Sequence, residues 1–421
     1  MNLSSILLFL IIRSLKLIIY YLLMSPFFLL RLIMIKKHLV KISFFDKFLL
    51  IAIGEIYIFG KKKIELRNIY EDQRKDLSEE FTKKKLLFFL PGQWYSLSVL
   101  ESALLILMMP QKISIIDKIF LTPYFFYLLL FDESRNKIKA NHGIASALSL
   151  SILFKNFYTI SRYYYCVAVK ILRANSNFFF YDEGSTNYHI FTTSLFKNYF
   201  FIKKYTPIWF KGYEEISIKL IHSLDFFYFG DDDKSKWLFE YRNKTKTSET
   251  FSINNLILDF NFKKSILDKY FKIYKRENTI LLICIKGSAW GHAHYMIGSI
   301  LYYIDDKIIV KFKKNSNYTY CQEKRKFDRF FCCNSPIPKK KFNELKLGFF
   351  KTLPDNLTSI ISLTDSEFKL TISGNCWQRE IDYSSDILKI VDLSPDDDTI
   401  LSSFFNSNNF NINYTRYNHI N

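Results

Sequence analysis

The apolar pattern of this chain changes period near residue 250, and that change limits the folds open to it. From about residue 94 to 227, apolar residues recur at three- and four-residue spacing, in stretches 99–109, 115–131, 144–154, 163–172, 190–201 and 213–227. That spacing lines one face of a helix. The links between stretches hold Pro110, Asn141-His142-Gly143 and a polar turn at 182–187, residue types that stop or start helices. After residue 250 the apolar stretches become short, β-branched and aromatic: 279–285, 297–304, 307–312, 359–363, 368–372 and 387–391. Asp305-Asp306 reads as a hairpin turn between two of them. Helices first and strands afterwards predict an α domain followed by a separate β domain. The expected divisions are an apolar N-terminal segment at 1–42, helices at 43–255 and strands at 256–421. The Asn-rich end, 406–421, is either frayed or a last weak strand.

Three polar islands interrupt this apolar background. They are Ala140-Asn141-His142-Gly143, then Tyr181-Asp182-Glu183-Gly184-Ser185-Thr186-Asn187-Tyr188-His189, then Trp290-Gly291-His292-Ala293-His294. Four of the chain's seven histidines lie in them. A turn that only joined two helices would need one Gly or Asn and would have no use for an adjacent Tyr-His pair. Structural readings stand beside the functional ones. Asn141 can cap the following helix, and Tyr188 and His189 can be a buried hydrogen-bonded pair. His292 and His294 are two apart on a strand, share a face and can line a core.

Composition narrows the partner. At 49% hydrophobic and 24% charged residues, the chain is neither disordered nor a polytopic membrane protein. The formal charge of +19 is inflated by a general excess of Lys, Ile, Asn, Phe and Tyr, but it still leaves a field that attracts polyanions. No nucleic-acid motif is present, and along the sequence the basic residues do not gather into one stripe with stacking aromatics, so nucleic acid is not the expected partner. The six Cys form no CxxC pair, so most of them read as buried thiols. At the N-terminus, Arg13, Lys16 and Arg31 divide the apolar run into pieces shorter than the ~20 residues of a membrane span, and no small-residue cleavage site follows. Three readings fit residues 1–35: an uncleaved membrane anchor, an interfacial helix, or an ordinary packing pair.

With these residues in view, the chain from about 94 to 392 resembles the heparinase II/III-like polysaccharide lyases, including the related alginate lyases. Trp94-Tyr95 with Ser98 and Glu101 looks like that family's early helix, and Asn141-His142-Gly143 like its Asn-His helix start. Glu183 to His189, Gly230-Asp231-Asp232-Asp233 and Gly291-His292-Ala293-His294 resemble its later motifs, in the same order. The resemblance implies an incomplete (α/α) toroid followed by an antiparallel β-sandwich, with an acidic polysaccharide as substrate. It implies β-elimination at a uronate, with location in the cell envelope or periplasm and the cytoplasm left open. Asn141, His142, Tyr188, His189 and His292 would be catalytic and would converge on one cleft; Trp94, Glu183 and Arg379 would bind substrate.

The chemistry suits those residue types. Neutral or positive donors against the uronate carboxylate stabilise the developing enolate, and a phenol can move protons if a cationic neighbour lowers its pKa. A hydrolase would instead want two opposed carboxylates. The departures are equally specific. Ala145 stands where the resemblance implies an acid, and Ile190 where it implies Arg. The implied structural zinc keeps His294, but Lys311 or Lys314 occupies the Asp position, and the last motif reads Arg329-Phe330-Phe331-Cys332-Cys333-Asn334-Ser335 without its His. No cofactor is therefore expected, and a catalytically inactive glycan-binding relative is the alternative.

Overall fold

The computed structural model describes residues 3–38, 56–58, 62–64, 107, 122–123, 125–127, 129–130, 140–230, 252–287, 294–312, 333–337, 339–344, 360–367, 369–374, 377–384, 387–394 and 412–417. Two compact units divide the chain, one formed by Met1–Asn175, Phe191–Ile208 and Ser235–Trp237, the other by Ser176–Ile190, Trp209–Lys234 and Leu238–Asn421. Helices precede antiparallel sheets along the sequence, the order that the change of period predicts.

In the first unit, α1 (Leu3–His38) is one helix that carries Pro26 inside it, where the sequence suggested separate apolar segments. Tyr20 and Met24 are buried. The Tyr20 hydroxyl donates to the Pro123 carbonyl at 3.1 Å, and its ring stacks on Phe126. Among the described residues, no helix is long and apolar enough to cross a membrane. A short hairpin, β1 (Ile56–Ile58) with β2 (Lys62–Ile64), follows.

Helix α2 (Ala140–Leu153) is buried along its whole length and on every side, its Asn, His and Ser residues included. Its Ala, Ser and Gly residues let neighbours approach closely. The link at 154–157 turns the chain back into α3 (Tyr158–Ala174), which buries Ser161, Ala168, Ile171 and Leu172. Hydroxyls join these helices: Ser151 Oγ donates to the Ser161 carbonyl at 2.8 Å, and Ser161 Oγ returns a bond to the Ser151 carbonyl at 2.7 Å. The Tyr199 hydroxyl, on α4 (Thr186–Lys203), meets Ser151 Oγ at 2.9 Å.

The second unit holds two larger sheets. β5 (Phe271–Arg276), β6 (Thr279–Cys284), β7 (Ile300–Ile304) and β8 (Lys307–Val310) form an antiparallel meander. Asp305 and Asp306 both adopt positive φ (49° and 59°) and close the β7–β8 hairpin, as the sequence predicted. β9 (Ser362–Ser366), β10 (Lys369–Gly374), β11 (Trp377–Asp382), β12 (Leu388–Leu393) and β13 (Ile412–Tyr417) form the other sheet, antiparallel except for the parallel β12–β13 pair. Within the Asn-rich end, Ile412–Tyr417 is a strand. Inward residues of both sheets share one apolar cluster that includes Leu281, Ile283, Ile300, Tyr302, Leu370, Ile372, Trp377 and Ile390. Alternate residues of β10, β11 and β12 are buried, the period-two pattern of strands with one face in a core.

Candidate active site

The 181–189 island is built from a strained hairpin. Strands β3 (Ser176–Asn177) and β4 (Phe180–Tyr181) are joined by Phe178 and Phe179, both at positive φ (42° and 68°), a conformation bulky residues rarely take. Aromatic packing holds it there. Phe178 meets Phe260 edge-on at 5.7 Å, and Phe179 meets Tyr213 at 5.7 Å and 86°. The Phe179 ring also lies where a side chain at Gly212 would be, so the start of helix α5 (Lys211–Ser223) must carry a glycine.

The chain then enters a pinned loop. Asp182 accepts the Lys269 ammonium, the Tyr270 hydroxyl and the Gly184 amide. The Tyr181 hydroxyl donates to Glu183 Oε2 at 2.8 Å, and Ser185 Oγ accepts the Asn187 amide at 3.2 Å, capping α4. The Thr186 amide donates to the Phe229 carbonyl at 3.0 Å. Gly230 (φ 75°) presses its backbone against Gly184 and Ser185, so a Cβ there would overlap the Gly184 carbonyl. Gly230→Ala is expected to lower stability by more than about 2 kcal/mol, since it adds left-handed backbone strain to a backbone clash. A urea midpoint unchanged from wild type would contradict this packing.

His189 is fully buried and both ring nitrogens are engaged. Nδ1 accepts the Tyr181 amide at 2.9 Å, so Nε2 carries the proton and donates to the Tyr213 carbonyl at 3.2 Å. The ring stacks on Phe180 at 5.0 Å. Burial lowers its pKa to about 3, against a partial opposing effect of the Tyr213 carbonyl. His189 is thus a neutral brace for the loop. Both ring nitrogens of His189, for which the sequence reading expected an acid–base role, bond within this frame. Its stabilisation is fully present above the unfolded pKa of 6.5 and is lost as pH falls from there toward about 3. Over that window the unfolding free energy should carry an extra slope of about 1.4 kcal/mol per pH unit. His189→Gln should remove that slope in urea titrations at stepped pH, and an unchanged slope would contradict the neutral brace.

Across residues 181–190 every residue is buried except Tyr188, which is half-buried on the first turn of α4. Glu183 is fully buried; its Oε2 accepts the Tyr181 hydroxyl, while Oε1 meets no hydrogen-bond donor among the described residues. Arg379 is fully buried on β11, its Nε and Nη2 bond Asp392 of β12 at 2.6 and 2.8 Å, and Nη1 donates to the Gly298 carbonyl at 2.7 Å. Arg379 is thus a core brace, the structural role that its place before a strand also suggests from sequence.

Asn141 and His142 lie in the first turn of α2, in the other unit. Both are buried. Asn141 Oδ1 accepts the His142 amide at 2.8 Å, while among the described residues no acceptor meets its buried Nδ2. Trp94 and His292 lie outside the described residues. Of the implied zinc donors, His294 and Cys333 are buried. Among the described residues no group of three His, Cys, Asp or Glu side chains is gathered.

No family model matches the sequence, and no curated protein matches it. Solved structures do. A heparinase III with methylated lysines aligns at 15% identity over 78% of this chain and 55% of that one, with a TM-score of 0.35. The heparan sulfate lyase HepC from Pedobacter heparinus aligns at 13% identity over 73% of this chain and 55% of its own, also with a TM-score of 0.35. The chain therefore spans little more than half the length of either, and the likeness is loose.

Proposed function

We propose that the protein is a polysaccharide lyase-like enzyme that cleaves an acidic, uronate-containing glycan by β-elimination. The observation that carries this reading is the Asn141 amide. A buried donor without an acceptor costs about 1–3 kcal/mol, and a ligand that completes it is one reason for such a group to persist. The donor lies at the start of a 14-residue helix, where backbone dipoles favour negative charge. A uronate carboxylate is the acceptor that fits, and taking it up would acidify the neighbouring C5 proton.

In this reading Tyr188 moves the protons, as the one residue of its island with solvent access. The base takes the C5 proton, the C5–H electrons become the C4=C5 double bond, and the C4–O bond breaks. The departing oxygen then takes up a proton. The domains would be those of the resemblance, a helical toroid at 43–255 and a β-sandwich at 256–421. One observation favours the second reading, an inactive glycan-binding relative: neutral His189 gives Tyr188 no cationic help. Wild type incubated with uronate polymers should raise far-ultraviolet absorbance as the conjugated double bond forms, and Tyr188→Phe should lower that rate about 100- to 10,000-fold. Full activity in Tyr188→Phe would assign the proton transfers elsewhere, and no signal from wild type across uronate polymers would leave the binding reading.

A further inference from the structure

Helix α3 and the 191–203 part of α4, both in the first unit, carry a surface that the proposed chemistry does not use. From residue 134 to 181, and again from 184 to 213, the sequence contains no Asp or Glu. Large apolar and aromatic side chains are exposed within these stretches: Phe157 (61%), Tyr158 (73%) and Tyr163 (63%) at the start of α3, and Phe201 (84%), Tyr205 (67%) and Ile208 (81%) at the end of α4. Lys155, Arg162, Lys203 and Lys204 are exposed among them.

Contacts join the two helices. Tyr165 of α3 stacks on Tyr199 of α4 with centroids 5.4 Å apart and planes within 5°. Lys203 Nζ sits over the Tyr199 ring at 5.6 Å. Partial burial, and then the charge of nearby Lys155, lower the Lys203 pKa. Cations drawn together beside exposed hydrocarbon, with no acid in the local sequence, suit a partner that is both anionic and apolar.

We propose that this face docks on an anionic lipid bilayer. The most exposed residues, Phe201 and Ile208, offer hydrocarbon that a polar glycan or a nucleic acid would not desolvate, whereas the acyl boundary of a membrane would. Tyrosines and lysines suit the headgroup layer above it. Helix α1 of the same unit points to the same partner. It has five Lys and Arg residues and no acid, and it exposes the seven-residue-spaced row Leu8, Leu15, Leu22 and Leu29 at 54–69%. With no span available among the described residues, attachment is to the bilayer surface rather than through it.

The test uses the full chain and sedimentation with vesicles of phosphatidylcholine alone or with phosphatidylglycerol added. Wild type should sediment with the anionic vesicles only, and less so as salt rises. Lys203→Gln with Lys204→Gln should weaken partitioning about 30-fold, at about 1 kcal/mol per lysine. Phe201→Ser with Ile208→Ser should weaken it at least about tenfold through lost apolar burial. Neither pair touches Asn141 or Tyr188, so elimination from a soluble substrate should be unchanged in both. Absence of wild-type binding to anionic vesicles would overturn the proposal. So would unchanged binding by both double variants, or loss of binding to soluble heparin on lysine replacement with vesicle binding intact, which would make the face a glycan surface.

Discussion

Asp392→Ala is expected to destabilise the sheet-bearing unit by about 3–5 kcal/mol, read as a lowered urea midpoint and reduced soluble yield. The carboxylate is fully buried and takes two hydrogen bonds from a fully buried Arg379 in the paired register position of the next strand. Removing it leaves a fully buried guanidinium charge without its carboxylate partner. An unpaired buried charge is among the few single-site changes that approach a domain's whole stability. The double replacement Arg379→Met with Asp392→Leu should recover most of the loss, because an apolar pair of similar volume needs no desolvated charge. A midpoint within about 0.5 kcal/mol of wild type for Asp392→Ala would mean that the pair is not buried as described.

Asn141→Leu should separate stability from activity. It replaces a buried donor that has no acceptor among the described residues with hydrocarbon of similar shape. The His142 amide loses one acceptor in exchange. Stability should therefore change by less than about 1 kcal/mol. Turnover should fall about 100- to 1,000-fold, the usual cost of removing one donor to a developing oxyanion. Equal loss of stability and activity would identify Asn141 as a packing residue.

How much of this was legible in the sequence depends on what each residue does with its polar groups. Strands β6 and β8 were readable because their apolar residues run or alternate, and Asp305-Asp306 was readable because two small polar residues suit a left-handed turn. β11, Trp377–Asp382, was not. Its inward positions are Trp377, Arg379 and Ile381, and a buried arginine breaks the alternation on which the reading depends. β5 hides in the same way behind Lys272, Lys275 and Arg276. The β3–β4 hairpin was also invisible, since Phe178-Phe179 stands where such turns usually carry Asn-Gly and is held only by distant aromatics.

The site was legible as a set of residues but not as roles. Sequence ranks Glu183, Tyr188 and His189 alike, because all three are polar and adjacent. Burial separates them, with Glu183 and His189 inside the frame and Tyr188 at its surface. Nothing local could have announced that the His189 ring nitrogens meet Tyr181 and Tyr213, one of them 24 residues away. Nor could it show that the Asn141 amide lacks an acceptor among the described residues, which depends on every neighbour at once.

The central claim is elimination rather than hydrolysis, and isotope-labelled solvent tests it most directly. Wild type is incubated with a uronate polymer in heavy-oxygen water and the products are weighed by mass spectrometry. Elimination breaks the C4–O bond without adding water, so the account predicts unsaturated termini and no heavy oxygen incorporated at the cleaved bond. Saturated products carrying one heavy oxygen would show that water attacked the bond, which would contradict the lyase reading.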